Sequence, residues 1–449
     1  MKDRIARMPR THPAPRRDLV RTAMALAMVA VVALLAACAT PPARPPAAPS
    51  SPADDGRAAA AAADAQQQQA FARWVTAFRG SAAAAGIDAA TLDLAFADVR
   101  YLPRVVELDR AQPESTRTVW SYLDSAVSPQ RIALGQERWQ QYRSEIDAAA
   151  ARFGVAPEIL VALWGIESNF GSHFGSIPTL DALATLGFDG RREAWARGQL
   201  LAALQILQSG DIDHAHMIGS WAGAMGQTQF LPSVFLAYAV DADGDGRRDI
   251  WGSIADAMAS TANFVARSGW QAGQPWGVEV RLPPGFDVAR AAPAERQPAK
   301  QWAAEGVQAS DGAPLPPFAQ ATVWLPAGAT GPAFLVGANF QVILRYNNSN
   351  SYALAVGLLA QQLAGGPGVH APWPRDLAAL SRVQVKALQT ALTERGFDSG
   401  TPDGVMGPAT SSALRRYQSS LGLPADGYPT VELLQRLQAQ SPAARRVTQ

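Results

Sequence analysis

The sequence has little cysteine and no strong charge bias. Cys38 is the single cysteine among 449 residues, which excludes an internal disulfide framework and a cysteine-rich metal site. Lys and Arg together number 39 and Asp and Glu 38, so we expect no nucleic-acid partner held by phosphate neutralisation. The uncharged run from Ala23 to Ala37 is shorter than the roughly 20 residues that a transmembrane helix needs. What remains is a chain long enough for two or three globular domains.

The N-terminus has the layout of a secretory signal, with a basic segment ahead of the uncharged run. The run ends in Leu35–Cys38 (LAAC), which resembles a bacterial lipobox and predicts a signal peptide over residues 1–37 with a lipid on Cys38. An uncleaved anchor helix and a twin-arginine signal at Arg16-Arg17 are the alternatives. Because Ala39 rather than Asp follows the cysteine, resemblance to lipoprotein sorting in enteric bacteria favours a periplasmic protein anchored to the outer membrane.

Residues 38–70 are predicted to be a tether between the lipid and the globular body. Thr40–Pro52 is rich in Pro and Ala, and Ala58–Gln69 is an Ala/Gln tract. Neither stretch has enough apolar surface for a core, so we expect an extended linker with a helix beginning near Asp64.

The stretch from Pro157 to Gly175 indicates a buried helix that carries an acid at its end. Its apolar residues recur at helical spacing, and Pro157 stands in the first turn. Glu167 follows the apolar run, where desolvation would raise its pKa and make it a proton donor near neutral pH. The alternative is a partly exposed Glu near a helix end.

A glycine-rich stretch, Gly219–Pro232 (GSWAGAMGQTQFLP), is the second candidate site. Its glycines allow the backbone to approach a ligand closely. Ser220, Gln227 and Gln229 offer neutral hydrogen-bonding groups that suit hydroxyls and amides. The alternative is a structural loop with tight turns.

Four motifs in order carry a resemblance to a known family. They are Gly165–Gly171 (GIESNFG), Thr179–Leu186 (TLDALATL), Ala222–Pro232 (AGAMGQTQFLP) and Arg345–Ser349 (RYNNS). Together they resemble the lytic murein transglycosylases of the B family, over about Phe71 to Leu363. The resemblance implies a mainly α fold, with a lysozyme-like catalytic domain over residues 71–364 that includes a small irregular or β portion.

The resemblance also implies a mechanism with one carboxylate. In the family, a single Glu protonates the glycosidic oxygen between N-acetylmuramic acid and N-acetylglucosamine, then takes a proton from the muramyl C6 hydroxyl as that oxygen attacks C1. The product is a 1,6-anhydro end. Most glycosidases use two carboxylates, whereas Glu167 is followed by the neutral residues Ser168, Asn169 and Phe170. Glu167 is therefore the expected catalytic residue.

Other site residues are carried over from the family by position. Ser220 and Gln229 would orient the acid and the substrate amides, and Tyr346 with Asn347 would line the sugar-binding cleft. Arg191 and Arg192 would meet substrate carboxylates, for which guanidinium groups are suited. The resemblance also assigns Tyr122 and Tyr352 to substrate binding.

A nine-residue segment, Asp241–Asp249 (DADGDGRRD), has the spacing of a calcium loop. Acidic residues alternate, a glycine stands at position six, and position seven, which contributes a backbone carbonyl in such loops, is Arg247. Position twelve is Gly252 instead of Glu, and Asp256, as in relatives with a late Asp, would replace it. The predicted ligands of one structural Ca²⁺ are Asp241, Asp243, Asp245, Arg247, Asp249 and Asp256. A metal-free acidic turn is the alternative, and no organic cofactor is expected.

The C-terminal region resembles the small three-helix peptidoglycan-binding module. Residues 365–376 are a linker by composition. The module is expected over residues 377–438 as a separate domain, with Thr401–Thr410 (TPDGVMGPAT) as its most specific motif. A generic helical bundle is the alternative.

The leading interpretation is a lipid-anchored lytic transglycosylase whose partner is the glycan strand of peptidoglycan. A hydrolytic muramidase, which would use water and leave a reducing end, is the rival enzyme. A wall-binding lipoprotein without catalytic activity is the rival from another class.

Overall fold

The structure, a computed structural model, describes residues 52–111 and 117–439, with side chains from residue 62. Cys38 and the predicted signal peptide lie outside the described residues. The described part has seventeen α-helices and six short strands, which confirms the mainly α fold. The helices are α1 (Pro52–Ala84), α2 (Ala89–Phe96), α3 (Pro103–Ala111), α4 (Val119–Ala126), α5 (Pro129–Gln141), α6 (Arg143–Phe153), α7 (Pro157–Ser168), α8 (Thr179–Asp189), α9 (Glu193–Ser209), α10 (Pro232–Tyr238), α11 (Ile254–Arg267), α12 (Ala299–Ala304), α13 (Ala338–Tyr346), α14 (Asn350–Leu363), α15 (Arg382–Thr393), α16 (Pro408–Ser420) and α17 (Val431–Ala439). The strands are β1 (Ile177–Pro178), β2 (Ile218–Gly219), β3 (Gly277–Arg281), β4 (Gln308–Ala309), β5 (Thr322–Trp324) and β6 (Ala333–Val336).

Helix α1 corrects the prediction for the tether. It begins at Pro52 rather than near Asp64 and runs through the Ala/Gln tract. Alanine has the lowest free-energy cost of any residue in a helix interior, so the tract forms a helix without a core of its own. Side chains 62–69 are exposed, and burial begins at Phe71.

Helix α7 lies in the larger of the two main hydrophobic cores. Its residues Ile159–Trp164 are almost completely buried and pack with α5, α6, α11 and α14. Among the described residues no single helix is long and apolar enough to cross a membrane, although α6 and α7 together, bent by 115°, meet that test by length and composition. The second core joins α1, α2, α8 and α9 to the glycine-rich loop. The two cores meet near Phe264 and Tyr346, which pack on both.

A four-stranded antiparallel sheet of order β4-β3-β6-β5 fills most of the region between α11 and α13. The sequence predicted irregular or short-strand structure in this part of the catalytic domain, and the sheet agrees with that prediction. Val278 pairs with Leu335 across the sheet. Trp302 on α12 is fully buried, and its indole N–H donates to the Ala321 carbonyl at 3.0 Å.

Residues 365–376, the predicted linker, lack helices and strands and are held against the catalytic body. The backbone N–H groups of His370 and Ala371 both donate to the Glu279 carboxylate at 2.8 Å. Arg375 forms two hydrogen bonds with Asp124, at 2.8 and 2.9 Å. Because these contacts anchor both halves of the segment, the linker does not act as a free hinge.

Helices α15–α17 form the C-terminal module, which has a hydrophobic core of its own. The module nevertheless belongs to one compact unit with the catalytic body, residues 61–449. Arg415 donates to the Ala291 carbonyl at 2.9 Å, and the Asp426 carboxylate accepts from the Ala329 N–H at 2.9 Å. The module and the catalytic domain therefore have separate hydrophobic cores but are in direct contact with each other.

Candidate active site

Glu167 stands in the last turn of α7, which ends in an unusual backbone conformation. Asn169 and Phe170 both have positive φ, at 48° and 58°. The Phe170 ring turns back against the helix, where a Cβ on Gly165 would come within 2.6 Å of it. Glycine at position 165 is therefore required by packing, and the two strained residues fix the turn that follows the acid.

The nearest partner of Glu167 is a tyrosine from α14. Tyr352 donates its phenolic hydrogen to Oε1 of Glu167. Tyr352 is only 4% exposed, and its own backbone N–H is held by the N-cap hydroxyl of Ser349. The two buried helices of the larger core thus fix the acid and its hydrogen-bond donor relative to each other.

The environment of Glu167 raises its pKa from 4.5 to about 7. Burial is the cause of the increase, and the hydrogen bond from Tyr352 opposes it because that bond favours the carboxylate. The Glu167 side chain nevertheless keeps partial exposure to solvent. No second carboxylate among the described residues contributes to this shift.

Two tyrosines beside Glu167 remain protonated. Burial raises the pKa of Tyr346 and Tyr352 well above 10, and the charge of Glu167 raises both further. Tyr122 also acts on the pKa of Tyr352. The structure therefore brings the neutral phenols of Tyr346 and Tyr352 to Glu167, with Tyr122 close to Tyr352.

The glycine-rich loop is shaped by its own side chains. Ser220 Oγ accepts hydrogen bonds from the N–H groups of Ala222 and Ala224, at 3.3 and 3.1 Å. Gln229 has a positive φ of 51°, and its side-chain amide donates to the Phe174 and Gly226 carbonyls at 3.0 Å. Both predicted site residues thus hold the loop in place.

Gln227 connects this loop to α7, a role that the sequence did not indicate. Its Oε1 accepts from the Trp164 indole N–H at 2.9 Å, and its Nε2 donates to the Trp251 carbonyl at 3.0 Å. The side-chain amide is buried, and its oxygen and nitrogen both form hydrogen bonds within the protein. It is therefore not free to bind a ligand's hydroxyls, which corrects the expectation from the sequence. No short pattern around Gln227 marks its pairing with Trp164, which lies 63 residues earlier in the chain.

Tyr346 reaches the same loop from α13. Its hydroxyl donates to the Thr228 carbonyl at 2.6 Å, and its ring packs against Phe230 and Phe264. Asn347, which follows the helix, is exposed. Tyr346 therefore connects α13 to the glycine-rich loop and lies near Glu167 at the end of α7.

Arg191 and Arg192 share a partner that the sequence did not predict. Arg191 Nε donates to Asp109 Oδ2 at 2.5 Å, and Arg192 Nη1 lies 3.5 Å from Asp109 Oδ1. Burial alone would raise the pKa of Asp109, but the two guanidinium groups hold it below its usual value. Arg192 also stacks over Trp195 at 3.7 Å. The predicted contact of both arginines with substrate stays a prediction.

The acidic loop brings together three of its six predicted ligands. Asp241, Asp243 and Asp256 each have a carboxylate oxygen within 4.8 Å of the others'. Asp256 is buried, and burial raises its pKa while the N–H groups of Ala242 and Asp249 oppose the increase. This convergence of oxygens fits a hard cation.

The other predicted ligands of the loop lie outside that group of three. Asp245 accepts from the Arg247 N–H at 2.8 Å. Asp249 accepts from the N–H groups of Trp251 and Gly252 at 2.9 and 2.8 Å. In this conformation the two carboxylates stabilise turns of the loop.

Comparison with known proteins gives two family matches, one to the catalytic body and one to the C-terminal module. Residues 70–361 match the Transglycosylase SLT domain, and residues 381–437 match the Putative peptidoglycan binding domain. The Membrane-bound lytic murein transglycosylase B of Escherichia coli is 35% identical over 260 residues, which cover 56% of this chain and 69% of that protein.

Solved structures resemble the fold as well. SltB3 from Pseudomonas aeruginosa, in complex with NAG-anhNAM-pentapeptide, is 53% identical with a TM-score of 0.80, covering 82% of this chain and 99% of that one. Escherichia coli Slt35 in complex with calcium is 31% identical with a TM-score of 0.56, covering 66% of this chain and 93% of that one.

Proposed function

This chain belongs to the Transglycosylase SLT domain family and is a lytic transglycosylase, and we propose that Glu167 is its only catalytic carboxylate, acting first as acid and then as base. The observation that carries the proposal is the place of Glu167 at the end of the buried helix α7, where Tyr352 is its hydrogen-bond donor and where burial raises its pKa. A pKa of about 7 keeps a large fraction of the group protonated near neutral pH while leaving its conjugate base competent. One residue can therefore serve both steps.

In the first step Glu167 donates its proton to the glycosidic oxygen between N-acetylmuramic acid and N-acetylglucosamine. Because Tyr352 bonds Oε1, we assign the transferred proton to Oε2. The bond between C1 and the glycosidic oxygen breaks, and the proton leaves with the N-acetylglucosamine hydroxyl. The Tyr352 hydrogen bond then stabilises the carboxylate that this step creates.

In the second step the Glu167 carboxylate accepts the proton of the muramyl C6 hydroxyl, and that oxygen forms a bond to C1. The product is a 1,6-anhydromuramic end, and Glu167 is protonated again. No water and no second carboxylate take part. An internal hydroxyl held next to C1 gains on the order of 7 kcal/mol from proximity, which compensates for the missing nucleophile.

The remaining site residues are proposed to position the glycan strand. Ser220 and Gln229 keep the loop in the shape that orients the acid and meets the substrate amides. Tyr346, Asn347 and Tyr122 line the cleft around Glu167. Tyr352 would contact the sugar and also donates its hydrogen bond to Glu167. Arg191 and Arg192, which are paired with Asp109, would bind substrate carboxylates.

We further propose that the acidic loop holds one structural calcium ion through Asp241, Asp243 and Asp256, with Asp245, Asp249 and the Arg247 carbonyl completing the set. The ion would neutralise carboxylates that otherwise repel one another. The converging oxygens and the calcium described for Slt35 support this proposal. The loop lies directly before α11 and Asp256 stands in its first turn, so the ion would stabilise the attachment of the loop to that helix.

The C-terminal module is proposed to hold the enzyme on peptidoglycan, and the N-terminal Cys38 to carry a lipid that anchors it in the periplasm, at the outer membrane. The match to a peptidoglycan-binding domain and the relative described as membrane-bound support the two parts of this proposal.

Digestion of purified sacculi in water enriched in heavy oxygen tests the reaction. The proposal expects anhydro products without the heavy label. Labelled reducing ends would identify the hydrolytic muramidase instead, and a chain that binds sacculi without releasing muropeptides would be a wall-tethering lipoprotein.

A further inference from the structure

Gln227, in the glycine-rich loop, is a buried residue whose side chain meets the chain on both sides of Glu167. It is 5% exposed. Its Oε1 accepts from the indole N–H of Trp164, three residues before the acid, at 2.9 Å. The same oxygen faces Gly171, four residues after the acid, so closely that a Cβ on Gly171 would overlap it. One side-chain oxygen therefore packs against both α7 and the turn that follows it.

The turn after the acid depends on such contacts because its backbone conformation is unfavourable. Asn169, Phe170 and Gly171 have positive φ values of 48°, 58° and 80°. Positive φ costs free energy for a residue with a side chain, and it persists only where the surrounding structure holds it. Within the turn, the Gly171 N–H donates to Ser168 Oγ at 3.0 Å. Gln227 adds a contact from a distant segment of the chain.

Gln227 is itself held by the segment at the end of the acidic loop. Its backbone N–H donates to the Ile250 carbonyl at 2.9 Å, and its Nε2 donates to the Trp251 carbonyl at 3.0 Å. Trp251 is fixed in turn, because its backbone N–H donates to Asp249 Oδ1 at 2.9 Å and its indole N–H to the Ile218 carbonyl at 3.1 Å. The amide of Gln227 therefore cannot rotate without losing a buried hydrogen bond.

We infer that Gln227 is a positioning residue for the reaction, one that fixes Glu167 relative to the glycine-rich loop. It acts through Trp164 and through the turn at Gly171 and touches no reacting atom. The inference rests on the proposed role of Glu167. A displacement of a catalytic group by about 1 Å can cost on the order of a hundredfold in rate. Loss of the Gln227 side-chain amide should therefore slow the proton transfers more than it weakens substrate binding.

Gln227→Met in the full chain tests the inference, because methionine has a similar length and shape but no amide. We expect kcat on soluble glycan strands to fall about tenfold while KM changes less than about twofold. The loop backbone should keep its place, since the Gln227 N–H still donates to the Ile250 carbonyl. Kinetics are measured well below the melting temperature of each variant, where a variant that is only less stable keeps the wild-type kcat.

Gln199→Met is the matched control. Gln199 on α9 is also a buried glutamine, and its side-chain amide forms two hydrogen bonds with Ser233, at 2.9 and 3.0 Å. The same substitution there should lower the melting temperature to a similar extent and leave kcat unchanged. Trp164→Phe removes the Gln227 hydrogen bond from the side of α7, and it keeps the inference testable if Gln227→Met does not fold. It should also lower kcat. Because both substitutions break one bond, the double variant should lose less than the product of the two single effects.

Three results would overturn the positioning role. They are a wild-type kcat in folded Gln227→Met, an equal fall of kcat in Gln199→Met, and a rise of KM at constant kcat, which would indicate a substrate contact instead. Glu167→Gln distinguishes this failure from a failure of the proposed function. If Glu167→Gln is inactive and Gln227→Met has the wild-type kcat, the positioning role alone is wrong. If Glu167→Gln remains active, both are wrong.

Discussion

Tyr352 on α14 donates a hydrogen bond to the carboxyl group of Glu167 on α7, across 185 residues of sequence. This bond opposes the effect of burial on the acid, since it stabilises the charged form while the surrounding protein disfavours it. The balance leaves Glu167 with a pKa of about 7, which suits a group that must both give and take a proton.

Replacement of Tyr352 by Phe should shift the pH profile of the reaction. The first step needs protonated Glu167, so kcat falls as pH rises through about 7. Without the hydrogen bond the carboxylate is less stable, and the pKa and this limb of the profile move to higher pH. We also expect kcat to fall about tenfold, the effect of one hydrogen bond to a charged group. Turnover of soluble glycan strands measured against pH checks both.

Tyr346→Phe is the matched control for that experiment. Its hydroxyl bonds the Thr228 carbonyl and not Glu167, so the midpoint of its pH profile should stay near that of the wild type. A profile that moves in Tyr346→Phe and not in Tyr352→Phe would contradict the assigned role of Tyr352.

Glu167→Gln should be more stable than the wild type at alkaline pH. The folded pKa of about 7 exceeds the unfolded value of 4.5, so the folded state binds more protons between these values. Wild-type stability therefore decreases as pH rises through this window, whereas Gln does not titrate and its amide oxygen can still accept from Tyr352. The difference in unfolding free energy should be small near the unfolded pKa and on the order of 3 kcal/mol above about pH 7. Urea unfolding at several pH values measures it, and a difference that does not change with pH would refute the raised pKa.

Arg191→Met should destabilise the fold through Asp109. The Asp109 carboxylate is 1% exposed, and the variant leaves it with Arg192 at 3.5 Å as its remaining cation. We expect a loss of about 1–3 kcal/mol in unfolding free energy. Arg79→Met is the control, since its partner Asp93 is 73% exposed and such pairs contribute about 0–1 kcal/mol.

Kinetics with the same variant separate the structural role of Arg191 from the proposed substrate contact. If stability is unchanged and KM rises only for peptide-bearing glycans, the guanidinium serves the substrate and the structural explanation fails.

Calcium should raise the melting temperature of the chain, and a chelator should lower it. Asp243→Asn removes one of the three converging carboxylates and should abolish most of the effect. Asp245→Asn lies outside that group and should retain more of it. Melting curves with calcium, magnesium and chelator measure this. A midpoint insensitive to chelator in the wild type would exclude a stabilising calcium ion.

The sequence predicted the buried helix α7 well because the information for it is local. The apolar spacing from Ile159 to Ile166 predicts a buried helix, and Glu167 follows within the same turn pattern. The acidic loop and the helices of the C-terminal module were predicted for the same reason, since each motif is contiguous.

The relationships that the sequence could not predict join distant segments. Nothing near Tyr352 indicates that it reaches Glu167, and nothing near Asp109 marks it as the partner of Arg191, 82 residues later. Such pairs depend on how helices pack, and helix packing is not encoded in any short pattern. The prediction placed the start of α1 too late for a different reason: a run rich in Ala and Gln is compatible with both a linker and a helix.

We propose that one carboxylate, that of Glu167, performs both proton transfers. Mass spectrometry of sacculi digested with the wild type and with Glu167→Gln tests it most directly, because Gln preserves the size and the hydrogen bond but cannot donate or accept the proton. We expect abundant 1,6-anhydromuropeptides, lighter by one water than hydrolysis products, from the wild type and almost none from the variant. Anhydro products released at a similar rate by Glu167→Gln would contradict it.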